Sequence, residues 1–161
     1  MRKIGIIAVL SLMALALAAV PALAAAPATG NAHFIKSATS ASVQNNNLVV
    51  NFKETGLSAG SIETLTLNAT GTATYQCFNN GGKHPQAANK ETVSSDLSNT
   101  QNFPVDQNGN LIGSISLAPP GPGSFTCPSG QTLVGPTNVS YTNIVLSDAT
   151  SGATISLGSA S

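Results

Sequence analysis

The chain is predicted to fold as an all-β sandwich, and three features of its 161 residues support that prediction. Short runs of alternating apolar and polar residues recur along the chain, as in strands with one buried face. Clusters of Gly, Pro, Asn and Ser separate these runs, as expected of turns and loops. After residue 24, almost no segment has the apolar spacing of an amphipathic helix.

The first 24 residues are predicted to be a secretory signal peptide. Two basic residues precede an apolar run that ends at Val20, and Ala22-Leu23-Ala24 is a small-residue cleavage site. The alternative is a transmembrane anchor, but the apolar run is at the short end of what spans a bilayer. The mature chain is therefore expected to begin near Ala25. It would form one secreted domain, residues 25–161, with no membrane contact after cleavage.

The mature chain has little charge. Four lysines and six acidic residues, with no arginine after the predicted cleavage site, give a net charge near −2. Nucleic-acid binding needs clustered basic residues, so neither nucleic acid nor acidic lipid is an expected partner. Ser, Thr, Asn and Gln must supply most of the polar surface.

The mature chain has two cysteines, Cys77 and Cys127. In an exported protein such a pair predicts a disulfide. A bridge across a loop of this length stabilises by roughly 4 kcal/mol in the loop-entropy description. A metal site would need more thiols or histidines at close spacing, so neither a metal nor a cofactor is expected.

The longest alternating run extends from Ser61 to Cys77. Gly71 within it is expected to produce a bend or bulge, and Ile62 is out of phase with the inward positions. The residues of this run expected to face inward are Leu65, Leu67, Ala69, Ala73, Tyr75 and Cys77.

Further strands are predicted on both sides of this run, at residues 32–38, 48–53, 91–97, 103–105, 111–117, 139–146 and 153–157. Residues 91–97 are expected to form a weak edge strand. Asn108-Gly109 predicts a hairpin joining 103–105 to 111–117. About seven strands are typical of an immunoglobulin-like antiparallel β-sandwich. The chain has no tryptophan, and Cys127 follows a Pro/Gly-rich stretch, so the disulfide is expected at one end of the sandwich.

Two long irregular segments, 78–90 and 119–131, adjoin the cysteines, and the disulfide should draw them together. Long loops in compact domains often carry function. The alternative is a glycine-rich turn that the disulfide merely orders. The candidate binding residues are Asn79, Asn80, Lys83, His84, Asn89 and Lys90.

From the first cysteine the sequence reads Cys77-x-Asn79-x-Gly81-Gly82-Lys83-x-Pro85-x-Ala87-Ala88-Asn89-Lys90. A Phe-Pro pair, a second cysteine after a Pro-rich turn and Val139-Ser140-Tyr141-Thr142-Asn143 follow. In these features the chain resembles a group of small secreted proteins from actinobacteria and similar filamentous bacteria. The resemblance implies secretion and the same domain limits, and it implies no activity.

Three motifs could suggest catalysis or calcium binding. The segment 56–60 matches the G-x-S-x-G nucleophile pattern around Ser58, but a strand is expected after it instead of the required helix. Asp106-Gln107-Asn108-Gly109-Asn110 lacks the later residues of a calcium loop. His33 and His84 are about 50 residues apart. A turn, a hairpin and surface histidines are therefore preferred.

The sequence thus favours a secreted, non-catalytic binding or structural module of the cell exterior, with its site on the disulfide-tethered loops. Polysaccharide or another extracellular protein is the expected partner. The alternative is a self-assembling surface or fibre subunit that associates by strand pairing. A small hydrolase is less favoured, because no nucleophile or acid–base set can be assembled.

Overall fold

The computed structural model describes residues 31–79 and 89–161. Within these ranges the chain forms two antiparallel sheets and no α-helix. The strands are β1 His33–Phe34, β2 Ser40–Gln44, β3 Asn47–Thr55, β4 Ile62–Asn79, β5 Lys90–Pro104, β6 Asn110–Leu117, β7 Gln131–Asp148 and β8 Thr154–Ala160. The predicted all-β fold with one disulfide is confirmed, and its immunoglobulin-like topology stays a prediction. The predicted signal peptide, residues 1–24, lies outside the described residues.

The two sheets differ in length. In the first sheet β3 is central and pairs with β1 and β2 on one side and with β6 on the other. The second sheet has the order β5-β4-β7-β8, and β4 and β7 each contain 18 residues. No helix within residues 31–79 and 89–161 has both the length and the apolar character needed to cross a membrane.

The core lies between the sheets and follows the alternation in the sequence. All six residues of β4 that were predicted to face inward are buried, and Ile62 is exposed, as expected. From the other sheet, Phe52 packs edge-to-face against Phe34 and Phe103, at ring-centroid distances of 6.2 and 5.2 Å. Removing this apolar surface from water provides the main stabilisation of the fold.

Three strand predictions were wrong in extent, and one of them, residues 139–146, falls short of β7, which begins at Gln131. The predicted first strand, residues 32–38, contains only the two-residue β1 and a 3₁₀ turn at Lys36–Ala38, and β2, Ser40–Gln44, was not predicted. The Thr39 hydroxyl donates to the Ile35 carbonyl at 3.0 Å, which stabilises the turn. The predicted weak edge strand 91–97 is part of β5, a 15-residue strand paired with nearly all of β4.

The predicted hairpin between 103–105 and 111–117 is also wrong. The turn itself forms, since the Asp106 N–H donates to the Asn110 carbonyl at 2.8 Å. However, β5 belongs to one sheet and β6 to the other. Val105 is buried and its N–H donates to the Ser61 carbonyl at 2.9 Å, so the chain crosses between the sheets here.

Gly71 is not a bulge: it pairs in regular register with Ser95 and with Tyr141. Glycine is needed here for space, because a Cβ would lie 2.5 Å from Leu97 Cδ1 and 3.1 Å from Pro120 Cδ. The register shifts between β4 and β7 arise in β7, which has one extra residue opposite the segment from Asn68 to Thr70.

Candidate functional site

The outer surface of β4 and β5 is formed by two opposed rows of mainly hydroxyl and amide side chains. It arises because every second residue of β4 is buried, which leaves the even-numbered positions outside. Asp96 and Lys90 are its charged members within the described residues. We call it the hydroxyl face. Its opposed pairs are Thr64–Asn102, Thr66–Thr100, Asn68–Ser98, Thr70–Asp96, Thr72–Ser94, Thr74–Thr92 and Gln76–Lys90.

Hydrogen bonds between the two rows hold the hydroxyl face in place. The donor–acceptor distances are 2.9 Å for Thr64–Asn102, 2.8 Å for Thr66–Thr100, 2.9 Å for Thr70–Asp96, and 3.1 Å for both Thr72–Ser94 and Thr74–Thr92. Each cross-strand pair contributes roughly 0.2–1 kcal/mol to the sheet. The rows extend about 40 Å at the usual strand rise, so the face is long, hydroxyl-rich and ordered before any ligand binds.

The neighbouring strands continue this character. In β7 the residues opposite the outward positions of β4 are mostly polar and include Ser147, Thr142, Ser140 and Asn138, with Val145 and the exposed Val134 as apolar exceptions. The second sheet therefore presents a broad, nearly uncharged polar surface.

A depression lies in the hydroxyl face where β7 changes register. Asn143 has a φ of 53°, a conformation that Asn tolerates better than most residues, and it lies at the irregularity between the Asn68 and Thr70 pairs. The depression has a volume of about 380 Å³, within the range of small-molecule sites. Its lining residues are Asn68, Ala69, Thr70, Asp96, Leu97, Ser98 and Asn143.

Three side chains in the depression form one chain of hydrogen bonds. The Asn143 amide donates to the Thr70 hydroxyl at 3.4 Å, and that hydroxyl donates to the Asp96 carboxylate at 2.9 Å. A carboxylate acceptor beside an amide and a hydroxyl can bind ligand hydroxyl groups as both donor and acceptor. β-Bulges are over-represented near functional sites because they redirect a side chain, as this one does for Asn143.

The predicted disulfide is confirmed. Cys77 and Cys127 are bridged, with a Cα–Cα distance of 5.6 Å. The bond joins the last part of β4 to the connection between β6 and β7, at one end of the sandwich. The Tyr75 hydroxyl donates to the Pro120 carbonyl at 2.7 Å. Segment 119–131 is therefore attached to β4 by this bond, by the disulfide and by the pairing of Gln131 with Asn79.

The six predicted loop residues have different positions. Asn79 ends β4 and Lys90 begins β5, both exposed. The Asn89 amide donates to Gln131 Oε1 at 2.7 Å, and the Asn89 carbonyl accepts from the Cys77 N–H at 2.9 Å, which indicates a structural role. Asn80, Lys83 and His84 lie outside the described residues, so their grouping as a site stays a prediction.

The other sequence motifs form turns or surface positions. Ser58 is exposed in the turn between β3 and β4, where a strand follows as predicted. The Asp106 carboxylate accepts from the N–H groups of Asn108 and Asn110, each at 2.8 Å, and these bonds lower its pKa. His33 is exposed and contacts the Asn31 carbonyl. His84 lies outside the described residues.

Comparison with known proteins finds no matching family model and no significant similarity to a curated protein or to a solved structure. Residues 31–79 and 89–161 contain no group of three or more His, Cys, Asp or Glu side chains arranged to hold a metal ion. The hydroxyl face was not part of the sequence-based prediction, although the recurrence of Thr at alternate positions of β4 was a visible signal.

Proposed function

We propose that the protein is an exported, non-catalytic module that binds a neutral polysaccharide along the hydroxyl face. The observation that carries this proposal is the depression around Asn143, in which Asp96, Thr70 and Asn143 line a space large enough for a sugar unit. Depressions of this kind, with few but convergent polar groups, are the default candidates for ligand sites.

The chemistry of the surface favours a neutral, hydroxyl-rich polymer. The hydroxyl face has few charges to attract an ionic ligand, and its hydroxyl and amide groups can exchange hydrogen bonds with sugar hydroxyls. Its length suits an extended chain lying parallel to the strands. Because the cross-strand bonds already order the side chains, binding would cost less conformational entropy.

A binding role is favoured over hydrolysis by the carboxylates present. Glycoside hydrolysis commonly uses two carboxyl groups about 5–10 Å apart on either side of the bond that is cleaved. Among the described residues that line the depression, Asp96 is the single acid. One carboxylate suffices to hold a sugar hydroxyl and does not provide the acid–base pair.

Co-sedimentation of the mature protein with insoluble cellulose, chitin and β-1,3-glucan tests the proposal. We expect binding to at least one of them. The double variant Asp96→Ala/Asn143→Gly should weaken that binding roughly tenfold or more, since each lost hydrogen bond to a charged group is worth about 1.5–3 kcal/mol. Glycine at position 143 retains the positive φ. Glu91→Ala, an exposed acid at an odd-numbered position of β5, is the control and should bind normally.

Two outcomes would count against the proposal. One is no binding to any of the three polysaccharides. The other is binding that the double variant retains while a loop variant, Asn79→Ala/Lys83→Ala/His84→Ala, loses it, which would place the site on segment 78–90. Unchanged melting temperatures would establish that each variant is folded.

Self-assembly by strand pairing is a second candidate, and one observation favours it. β5 is an edge strand of 15 residues in the second sheet, and long edges are templates for pairing with another chain. Lys90, Asp96 and Pro104 on this strand are residues of the kind that discourage such pairing. Sedimentation velocity separates the two candidates: reversible strand-paired oligomers would support assembly, and a monomer would support the binding module.

A further inference from the structure

Three carboxyl side chains lie together in the core, between the two sheets. Glu54 comes from β3 in the first sheet, and Glu63 and Asp148 come from β4 and β7 in the second. Their exposed fractions are 0%, 3% and 1%. All three occupy inward-facing strand positions, which are usually taken by apolar residues. The binding function proposed above does not use them.

Among the described residues, each carboxyl group has a hydrogen-bond donor for one oxygen only. Ser151 Oγ donates to Glu54 Oε1 at 2.8 Å, Ser61 Oγ donates to Glu63 Oε1, and the Thr150 N–H donates to Asp148 Oδ1 at 2.8 Å. The remaining oxygens, Glu54 Oε2, Glu63 Oε2 and Asp148 Oδ2, are buried, and no donor group of residues 31–79 and 89–161 reaches them. A buried ionised carboxylate in this situation is strongly unfavourable.

Within the described part of the chain, no positively charged group compensates for Glu54. The charged groups that act on it are Asp148 and Glu63, both acidic. Phe34 of β1 and Leu111 of β6 are its apolar neighbours across the strands. Burial, helped by repulsion from the two acids and opposed by the Ser151 hydrogen bond, raises the pKa of Glu54 from its ordinary 4.5 to about 7.

We propose that Glu54, Glu63 and Asp148 form a proton-operated lock between the sheets. When Glu54 is protonated, its carboxyl group donates a hydrogen bond to the Asp148 side chain. This bond joins β3 to β7, and Ser151 links the same carboxyl group to the turn before β8. Loss of the proton places a negative charge on Glu54 beside the two other acids, which loosens this end of the sandwich.

The direction of the pH dependence follows from linkage. Because the pKa of Glu54 is higher in the folded protein than in the unfolded chain, the folded state binds more protons between pH 4.5 and about 7. The contribution of Glu54 to the free energy of unfolding is therefore fully present below pH 4.5 and is lost as the pH rises through about 7. From this group alone, the unfolding equilibrium constant should rise by roughly 10²–10³-fold from pH 4 to pH 9.

Urea unfolding of the mature protein between pH 4 and pH 9, compared with Glu54→Gln, tests the lock. The glutamine retains an acceptor for Ser151 and cannot ionise. We expect the parent to lose stability relative to Glu54→Gln as the pH rises from 5 to 8, with Glu54→Gln the more stable at pH 8. Glu91→Gln, a change at an exposed acid on β5, should follow the parent.

Titration of the Glu54 carboxyl carbon by NMR in the folded protein is the second measurement, and it does not depend on the variant folding. A midpoint near 7 supports the lock, and one near 4.5 overturns it. Equal pH dependence in the parent and in Glu54→Gln also overturns it. If millimolar Ca²⁺ stabilises the protein at pH 8 as much as acidification does, the three acids bind a cation, and the lock is overturned.

Discussion

Removing the Cys77–Cys127 bridge is expected to lower the free energy of unfolding by about 2–4 kcal/mol. The bridge closes a loop of 50 residues, so its loss restores conformational freedom to the unfolded chain. Urea denaturation of Cys77→Ala/Cys127→Ala under oxidising conditions, against the parent, measures the effect. Alanine is preferred to serine because position 77 is buried, and a buried hydroxyl would add a cost of its own.

The loss should be concentrated at one end of the sandwich. Hydrogen exchange should accelerate first in segment 119–131, whose remaining attachments to the rest of the domain include the Tyr75–Pro120 and Asn89–Gln131 hydrogen bonds. The centre of the second sheet should stay protected. If the double variant unfolds at the same urea concentration as the parent, the bridge is not a stabilising staple.

Tyr141→Ala is expected to cost about 3–5 kcal/mol, the usual range for deleting a buried aromatic side chain. Tyr141 in β7 is fully buried. Its hydroxyl donates to the Asn46 carbonyl at 2.7 Å and approaches the Leu117 carbonyl at 3.4 Å, so the side chain spans from the second sheet to the first. Thermal or urea unfolding of the variant gives the difference in stability.

Tyr141→Phe separates the ring from the hydroxyl group. Because it retains the packing, it should lose only the hydrogen-bond contribution of roughly 0.5–1.5 kcal/mol. A loss as large as that of the alanine variant would mean that the hydroxyl contacts, and not the filled volume, hold the sheets together. Little loss in the alanine variant would contradict the placement of Tyr141 in the core.

Alternation predicted the strands well where one face is apolar. The run from Ser61 to Cys77 became β4 with its inward residues as expected. The predicted pair 139–146 and 153–157 corresponds to parts of β7 and β8, although β7 begins earlier, at Gln131. β5 was underestimated because it is an edge strand whose inward positions are only partly buried. Its length is determined by pairing with β4, and that is not encoded in its own apolar pattern.

The crossing between the sheets could not be predicted from the turn. Asn108-Gly109 indicates a reversal of the chain, but it does not specify which sheet the next strand joins. That choice depends on long-range contacts, such as the bond from the Leu57 N–H to the Gly109 carbonyl at 3.1 Å. A Cβ at Gly109 would lie 2.5 Å from the Leu57 carbonyl oxygen, so the two turns pack in direct contact.

The candidate site was only partly visible in the sequence. Thr at alternate positions of β4 could have indicated an exposed hydroxyl row, whereas the depression depends on the conformation of Asn143 and on the pairing of three strands. The cluster of buried acids was not predicted, because charged residues are normally exposed in folded proteins. Glu54, Glu63 and Asp148 nevertheless occupy the same alternate positions of their strands as the apolar core residues.

The central claim is that ligand binds along the hydroxyl face, and NMR of the ¹⁵N-labelled mature protein tests it most directly. Cellohexaose, chitohexaose and laminarihexaose are soluble probes for the three polysaccharides. With at least one of them, we expect amide shifts to change in residues 66–72, 94–100 and 140–145, with the largest changes around Asn143. Changes confined to residues 78–90 and 119–131, or no change with any probe, would contradict the claim.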